Sequence, residues 1–486
     1  MWPKYKHHIP LLLVILVAAA VRLLAVFKYG DFWDDEMFSF IYSQKSWPSG
    51  LVYWLWETNP PLHLLILKIW LFIFPATEFF ARLPSVLAGV GTVYVIYRFG
   101  RDFFGAKTAY LAAFFLALHP YHIFWSATAR VYVFLMLLAS LSVWRFFQMY
   151  FLESRPIKRR PTALINLLLI FSHLSSLFLF AGQLVVLIIF KGKKSVIDWI
   201  KLNLLPGLIG AVWIIASFAI KSENDLEKSW FLNMAHSFNS SINSIANIIV
   251  GQYPIFGGII LVILATVILG LTAVKKFRVR DVFFLSLLIT VLTPIALAVV
   301  CGVWHVKFFM AVLPLVVLLI AEAVSQYVKI RPAIAVITAI CTIGLIRLTF
   351  TLPLSDWTDV ENFYISRNNG KAFFIYNNYI LKSQIDRYLP TISGTAKPLL
   401  LYDNMNWDDM VVKKNYLFTM LSDEKKDEWY AFNHLDEAER IVLLQGEYEY
   451  MNKLNTVLEK HGWILREAPR QARLSGSYNL YFYEKN

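Results

Sequence analysis

Apolar runs close to the length of a bilayer crossing recur along this chain, at 11–26, 132–143, 258–274 and 282–300 among others. A helix rising about 1.5 Å per residue needs roughly 20 apolar residues to cross a hydrocarbon core about 30 Å thick. One or two such runs fit a signal or an anchor. This many fit only a chain whose first 350 residues lie mostly in lipid, with lipid as the solvent its surface was built for. The composition agrees, since 58% hydrophobic residues and a mean hydropathy of +0.54 over 486 residues do not suit a water-soluble fold. The first run follows Lys4 and Lys6, has no small-residue cleavage site and leads directly into Arg22 and Lys28. It reads as a retained first span.

Charge places the loops. Residues 1–350 carry 30 Lys and Arg against 14 Asp and Glu, whereas residues 351–486 carry 16 against 19, so the net +13 lies wholly in the apolar part. Such an excess marks cytoplasmic loops of a membrane protein, and no nucleic-acid partner is expected from it. The basic clusters fall at Arg98, Arg101 and Lys107, at 155–160, at 191–194, at 275–280, and at Lys329 and Arg331. With these and the N-terminus cytoplasmic, the chain alternates consistently across a plasma membrane. The segment 30–85, the turns near 126–132, His173 and His305, the stretch 221–257 and everything after about 352 then lie outside. The result is an all-α polytopic membrane protein of about eleven transmembrane helices plus interfacial helices. Two runs, 163–172 and 174–190, are either two short spans or one long helix that would invert every later loop. The run 62–74, started by a Pro pair, reads as an interfacial helix. Cys301 and Cys341 sit in apolar runs without metal spacing, so a disulfide framework is not supported.

After about Asp356 the pattern changes to polar helical stretches alternating with β-rich runs at 372–376, 398–402, 440–444 and 478–483. Two domains are expected: a transmembrane domain over 1–352, with a long outer loop at about 30–85, and a soluble extracytoplasmic α/β domain over 353–486.

The residues able to carry chemistry collect on the outer side. Asp34, Asp35 and Glu36 follow the first span, where carboxylates beside a bilayer are costly unless they serve something. Acids so placed suit a general base or a cation ligand, and equally a solvated interfacial cluster. Arg130, Tyr132, His305 and Lys307 stand at span mouths on the same side, with His122 and His173 nearby; Arg and Lys there suit a bound phosphate. Each also has a plainer role, Arg130 and Lys307 as snorkelling anchors and the histidines as satisfied helix ends.

The order of these motifs is familiar. Asp35-Glu36, then Asn59-Pro60-Pro61-Leu62-His63, Ala81-Arg82-Leu83-Pro84-Ser85 and the stretch from Tyr97 to Gly105 follow one another. Leu118-His119-Pro120-Tyr121-His122, the stretch from Ser126 to Tyr132, Ser172-His173 and Val306-Lys307-Phe308-Phe309 complete the series. Over about residues 1–325 the chain resembles the membrane glycosyltransferases of the protein-mannosyltransferase and aminoarabinose-transferase type, whose fold is called GT-C. The resemblance implies transfer of a sugar, with inversion, from a polyprenyl-phosphate donor to a lipid, glycan or protein acceptor. In that pattern Asp35 matches the family's base, with Glu36 beside it. Arg130, Tyr132, His305 and Lys307 would take the donor phosphate, and Asp34, Asn59, His63, His122 and His173 would line the substrate pocket. Some relatives hold a divalent metal, for which Glu36, Glu57 and His173 are the candidates; no other cofactor is implied. The chain departs from the pattern at Asn59 and at Ala127-Thr128, and at Lys307, where Arg is usual. Two rival readings are a transporter or flippase of a lipid-linked substrate and a non-catalytic relative that kept the fold.

Overall fold

The computed structural model describes residues 9–57, 59–152, 158–220, 279–300, 306–327 and 356–368, with short runs between 329 and 346 and the C-terminal elements named below. The expected run at 258–274, the loop 221–257 and His305 lie outside the described residues. The described residues fall into two compact units. One takes those within Met1–Phe27, Trp54–Ile220 and Ser229–Thr351, the other those within Lys28–Tyr53 and Leu352–Asn486.

The first unit is helical. Its long elements are α1 (Ile9–Lys28), α5 (Glu78–Phe103), α8 (Tyr132–Phe151) and α11 (Lys193–Ala219), each long and apolar enough to cross a membrane. Between them run α4 (Leu62–Ile73), α6 (Ala106–Leu118), α7 (Pro120–Ser126), α9 (Arg159–Ile170) and α10 (Ser176–Phe190). The helices Val279–Val300 and Leu313–Tyr327 follow, with the 3-10 turn Val306–Ala311 between them. Large apolar side chains stay exposed, as Leu24 (68%) on α1 and Val212 (68%) on α11 do. Such faces are at home against lipid, where the backbone is satisfied within each helix.

The turn expected near His173 is present, and the alternative of one long helix is not: α9 ends at Ile170, α10 begins at Ser176, and His173 lies in the turn between them. Both helices touch α8 and α11, α9 packing chiefly on these two and α10 chiefly on Val279–Val300. Two hairpins turn on glycines with positive φ. Gly105 (φ 98) follows α5 and Gly192 (φ 78) follows α10, and each donates its N–H back to a carbonyl five residues earlier, on Gly100 and Leu187. Polar side chains tie the bundle internally: Ser142 donates to Asn166 at 2.7 Å, Asn166 to Asn203 at 2.7 Å and Trp199 to Gln183 at 3.0 Å.

Close approach of α10 to Val279–Val300 depends on Gly182, where an added Cβ would stand 2.8 Å from the Thr290 carbonyl oxygen and 3.2 Å from its Cα. Backbone cannot yield as a flexible side chain does. Gly182→Ala is expected to destabilise the protein by about 1–3 kcal/mol, read as a lower thermal midpoint in detergent. Gly207→Ala on α11, with open space at its Cβ, serves as the control and should not lower the midpoint.

The second unit is built on a mixed six-stranded sheet of order β2-β1-β3-β6-β4, with β5 also paired to β6. The strands are β1 (Ala372–Tyr376), β2 (Lys397–Pro398), β3 (Arg440–Gly446), β4 (Trp463–Leu465), β5 (Arg470–Gln471) and β6 (Tyr478–Lys485). The parallel β1–β2 pair needs a crossover, which the helix Tyr379–Tyr388 supplies. Register brings Phe374, Val442 and Phe482 abreast across three strands. With Trp357 and Phe363 of the helix Trp357–Ile365 they form one buried core. Also in this unit are α2 (Asp34–Gln44) and the first residues of α3 (Trp47–Trp56).

Candidate functional site

The acids open α2. Trp33 is extended (ψ 169), and its carbonyl accepts the N–H groups of Glu36 and Met37 at 2.9 Å each. Asp34, Asp35 and Glu36 then occupy the first turn, where the unpaired N–H groups favour negative charge. The three have different surroundings. Glu36 is fully buried, Asp35 is half-buried, and Asp34 accepts the Tyr478 hydroxyl at 2.5 Å and the Gln384 Nε2 at 3.4 Å. Burial pushes the Asp34 carboxyl up to about 6; the Tyr478 hydrogen bond opposes this and the neighbouring Asp35 adds to it. Ser39 donates to the Asp35 carbonyl at 3.0 Å, which holds the turn closed.

In the helical unit a second set converges. Arg130 lies in the short connection between α7 and α8, its guanidinium 5.9 Å from the Tyr132 ring centroid. Tyr132 is buried against Trp125 (4.3 Å) and the His173 ring (6.0 Å). His173 in turn accepts the Ser175 N–H on Nδ1 at 3.1 Å, which fixes its ring. The Phe171 carbonyl accepts the Leu62 N–H at 3.0 Å, bringing the start of α4 to the same turn. His63, the next residue, is buried beside Phe134, and burial together with the Arg130 charge lowers its pKa to about 3. It is therefore held as a neutral ring, which still has one N–H to donate. This arrangement can hold a negatively charged group at Arg130 with Tyr132 and His173 as its polar wall.

Other candidates sit elsewhere. His122 accepts Arg22 on Nδ1 at 2.5 Å, and Ser126 donates to its carbonyl, so this ring is engaged in holding α1 to α7. Glu57 and Asn59 pair with each other, Asn59 Nδ2 reaching Glu57 Oε1 at 3.3 Å. Lys307 falls in the 3-10 turn Val306–Ala311. Among the described residues no three His, Cys, Asp or Glu side chains are grouped as a metal site requires. The divalent-metal expectation at Glu36, Glu57 and His173 thus finds no donor set, and no step is derived through a metal.

Three residues that contact the candidate residues escaped the sequence reading. Tyr478 and Gln384 bind the acid turn from more than 340 positions away, and no local pattern marks them. Arg22 did carry a signal, an ionisable residue inside an apolar run. It is fully buried and spans helices by donating to the carbonyls of Ala18 (2.8 Å), Ala117 (3.0 Å) and Leu116 (3.3 Å).

Comparison with known proteins bears on the fold. Residues 58–220 match the family model described as dolichyl-phosphate-mannose-protein mannosyltransferase. Over 96 residues the chain is 36% identical to "Putative mannosyltransferase YycA" of Bacillus subtilis (strain 168), a match spanning 19% of this chain and only 14% of that relative. Among solved structures, ArnT from Cupriavidus metallidurans in the apo state superposes with a TM-score of 0.59 at 13% identity, covering 97% of each chain. The same protein bound to undecaprenyl phosphate gives 0.56 at 12% identity, again over 97% of each chain. The oligosaccharyltransferase AglB from Archaeoglobus fulgidus, in complex with an inhibitory peptide and a dolichol-phosphate, gives 0.54 at 13% identity over 100% of this chain and 75% of that one. The chain is a polytopic membrane protein with the GT-C fold and a C-terminal sheet-containing domain. The fold expected from the ordered motifs is the fold found.

Proposed function

We propose that the protein is an inverting glycosyltransferase that moves a sugar from a polyprenyl-phosphate donor to an acceptor hydroxyl or amine at the outer face of the plasma membrane. The observation that carries this reading is the acid turn itself: Asp34, Asp35 and Glu36 open α2, with Glu36 fully buried and the carboxylates of Asp34 and Asp35 both partly accessible. The acceptor oxygen or nitrogen attacks the anomeric carbon, the bond from that carbon to the phosphate oxygen breaks, and Asp35 takes the acceptor's proton. The leaving polyprenyl phosphate gains charge as the bond breaks, and Arg130 and Lys307 are the cations assigned to it. The lipid-phosphate donor class is supported by the undecaprenyl phosphate and dolichol-phosphate held in the two structural relatives. Residues 1–352 would form the transferase domain and 353–486 an extracytoplasmic domain.

The decisive experiment offers purified protein in lipid a panel of polyprenyl-phosphate sugars and follows release of free polyprenyl phosphate. Release from one donor supports the reading. Donor binding without release from any of them would favour a transporter or a non-catalytic relative. Sidedness is tested separately, after replacing Cys301 and Cys341. Ser46→Cys is expected to react with an impermeant thiol reagent on intact cells, and Lys194→Cys only after permeabilisation. The reverse pattern would overturn the orientation.

A further inference from the structure

Among the described residues, at least five hydrogen bonds join the C-terminal part of the chain to the six residues 31–36. Trp357 N–H donates to Asp31 Oδ2 (3.2 Å), Phe32 N–H to the Tyr388 hydroxyl (2.9 Å), Gln384 Nε2 to the Phe32 carbonyl (3.2 Å) and to Asp34 (3.4 Å), and Tyr478 to Asp34 (2.5 Å). The Arg387 guanidinium adds a stacked contact, lying 4.7 Å from the Phe40 ring centroid and 5.4 Å from that of Phe32. Gln384 directs its amide nitrogen at both oxygens while its own Oε1 stays buried without a hydrogen-bond partner. A buried acceptor left unpaired costs about 1–3 kcal/mol, so this contact is sustained against a penalty.

We propose that Tyr478 is a positioning residue for the carboxylate of Asp35, acting through Asp34. This rests on the general-base reading of Asp35 given above. The first turn of a helix frays readily, and α2 has no side-chain cap at Trp33. Tyr478 opens β6, the strand that pairs with β3, β4 and β5, so its hydroxyl is fixed by the most heavily paired strand of the sheet. Successive helical residues point about 100° apart. Pinning Asp34 to Tyr478 therefore fixes the direction in which Asp35 points. The C-terminal domain, on this account, is part of the base's support and not only a neighbour of the acceptor.

The test compares Tyr478→Phe, Asp34→Asn and the double variant with wild type in the polyprenyl phosphate release assay. Each single change is expected to lower kcat about tenfold while donor KM moves less than about twofold. The double variant should lose less than the product of the two singles, because Tyr478→Phe removes the bond that Asp34→Asn, left with a neutral amide oxygen as acceptor, only weakens. Wild-type kcat in Tyr478→Phe, a rise in KM alone, or additive losses in the double variant would each overturn the proposal. Gln384→Ala, which leaves the Tyr478 bond intact, should lower kcat less, by about two- to fivefold, and it carries the test if Tyr478→Phe does not fold. If wild type releases polyprenyl phosphate from no donor, the transferase reading fails on its own. The latch is then read by hydrogen exchange: the amides of Glu36 and Met37 should exchange about tenfold faster in Tyr478→Phe. Unchanged exchange there would overturn it.

Discussion

Asp35→Asn is expected to slow polyprenyl phosphate release by about 10²- to 10⁴-fold, the usual contribution of a positioned general base, while the protein folds and binds donor as wild type does. Asparagine keeps the size of the side chain and is well tolerated at a helix start, so α2 should still form. It cannot accept the acceptor's proton at neutral pH. Neither neighbour can substitute: Glu36 is fully buried and Asp34 is held by Tyr478 and Gln384. The contrast with Asp34→Asn is informative, since a positioning residue should cost far less than the base it positions. Turnover at the wild-type rate in Asp35→Asn would end the general-base assignment. Loss of donor binding together with turnover would instead assign the carboxylate to holding substrate.

The second large effect is expected at Arg130. Its guanidinium stands by Tyr132, and its charge reaches the buried His63. If the donor phosphate binds there, Arg130→Ala should lower kcat by about 10²- to 10³-fold, as loss of one donor to a developing anion does. Donor affinity should fall as well, because the ground-state phosphate is already charged. Arg130→Lys should restore part of the loss, keeping the charge and giving up the two-pronged geometry. Equal kcat and equal donor affinity in Arg130→Ala would move the phosphate away from this residue. Steady-state kinetics with one donor, joined to a direct binding measurement in the same lipid, separates these results.

The helices and strands are largely legible in the sequence alone. Long apolar runs declare spans because lipid admits only backbone that satisfies itself, and α1, α8 and the helix Val279–Val300 cover three of the runs named from sequence. The β-rich runs at 372–376 and 440–444 appear as β1 and β3 because alternation and β-branched content are local properties. The two helices within 163–190 are read from the sequence against the alternative of one long helix, since the polar turn at 171–175 is short beside the apolar run around it. The break lets α10 pack chiefly on Val279–Val300 while α9 packs chiefly on α11 and α8.

For the site, the sequence showed which groups were present and in what order: the acids after the first run, Arg130 with Tyr132, His63 after the Pro pair. It did not show how three adjacent acids come to differ. Asp34, Asp35 and Glu36 are one charge cluster in one dimension, and only the fold brings Tyr478 and Gln384 to the first, buries the last and leaves the first two partly accessible. In the same way Arg22 could be seen as a charge in an apolar run, but not as the donor that binds His122 and two carbonyls of α6. Hydropathy and periodicity act over a few residues and so can be read along the chain. Hydrogen bonds between residues hundreds of positions apart depend on where whole elements come to rest, and that is settled only when the tertiary structure forms.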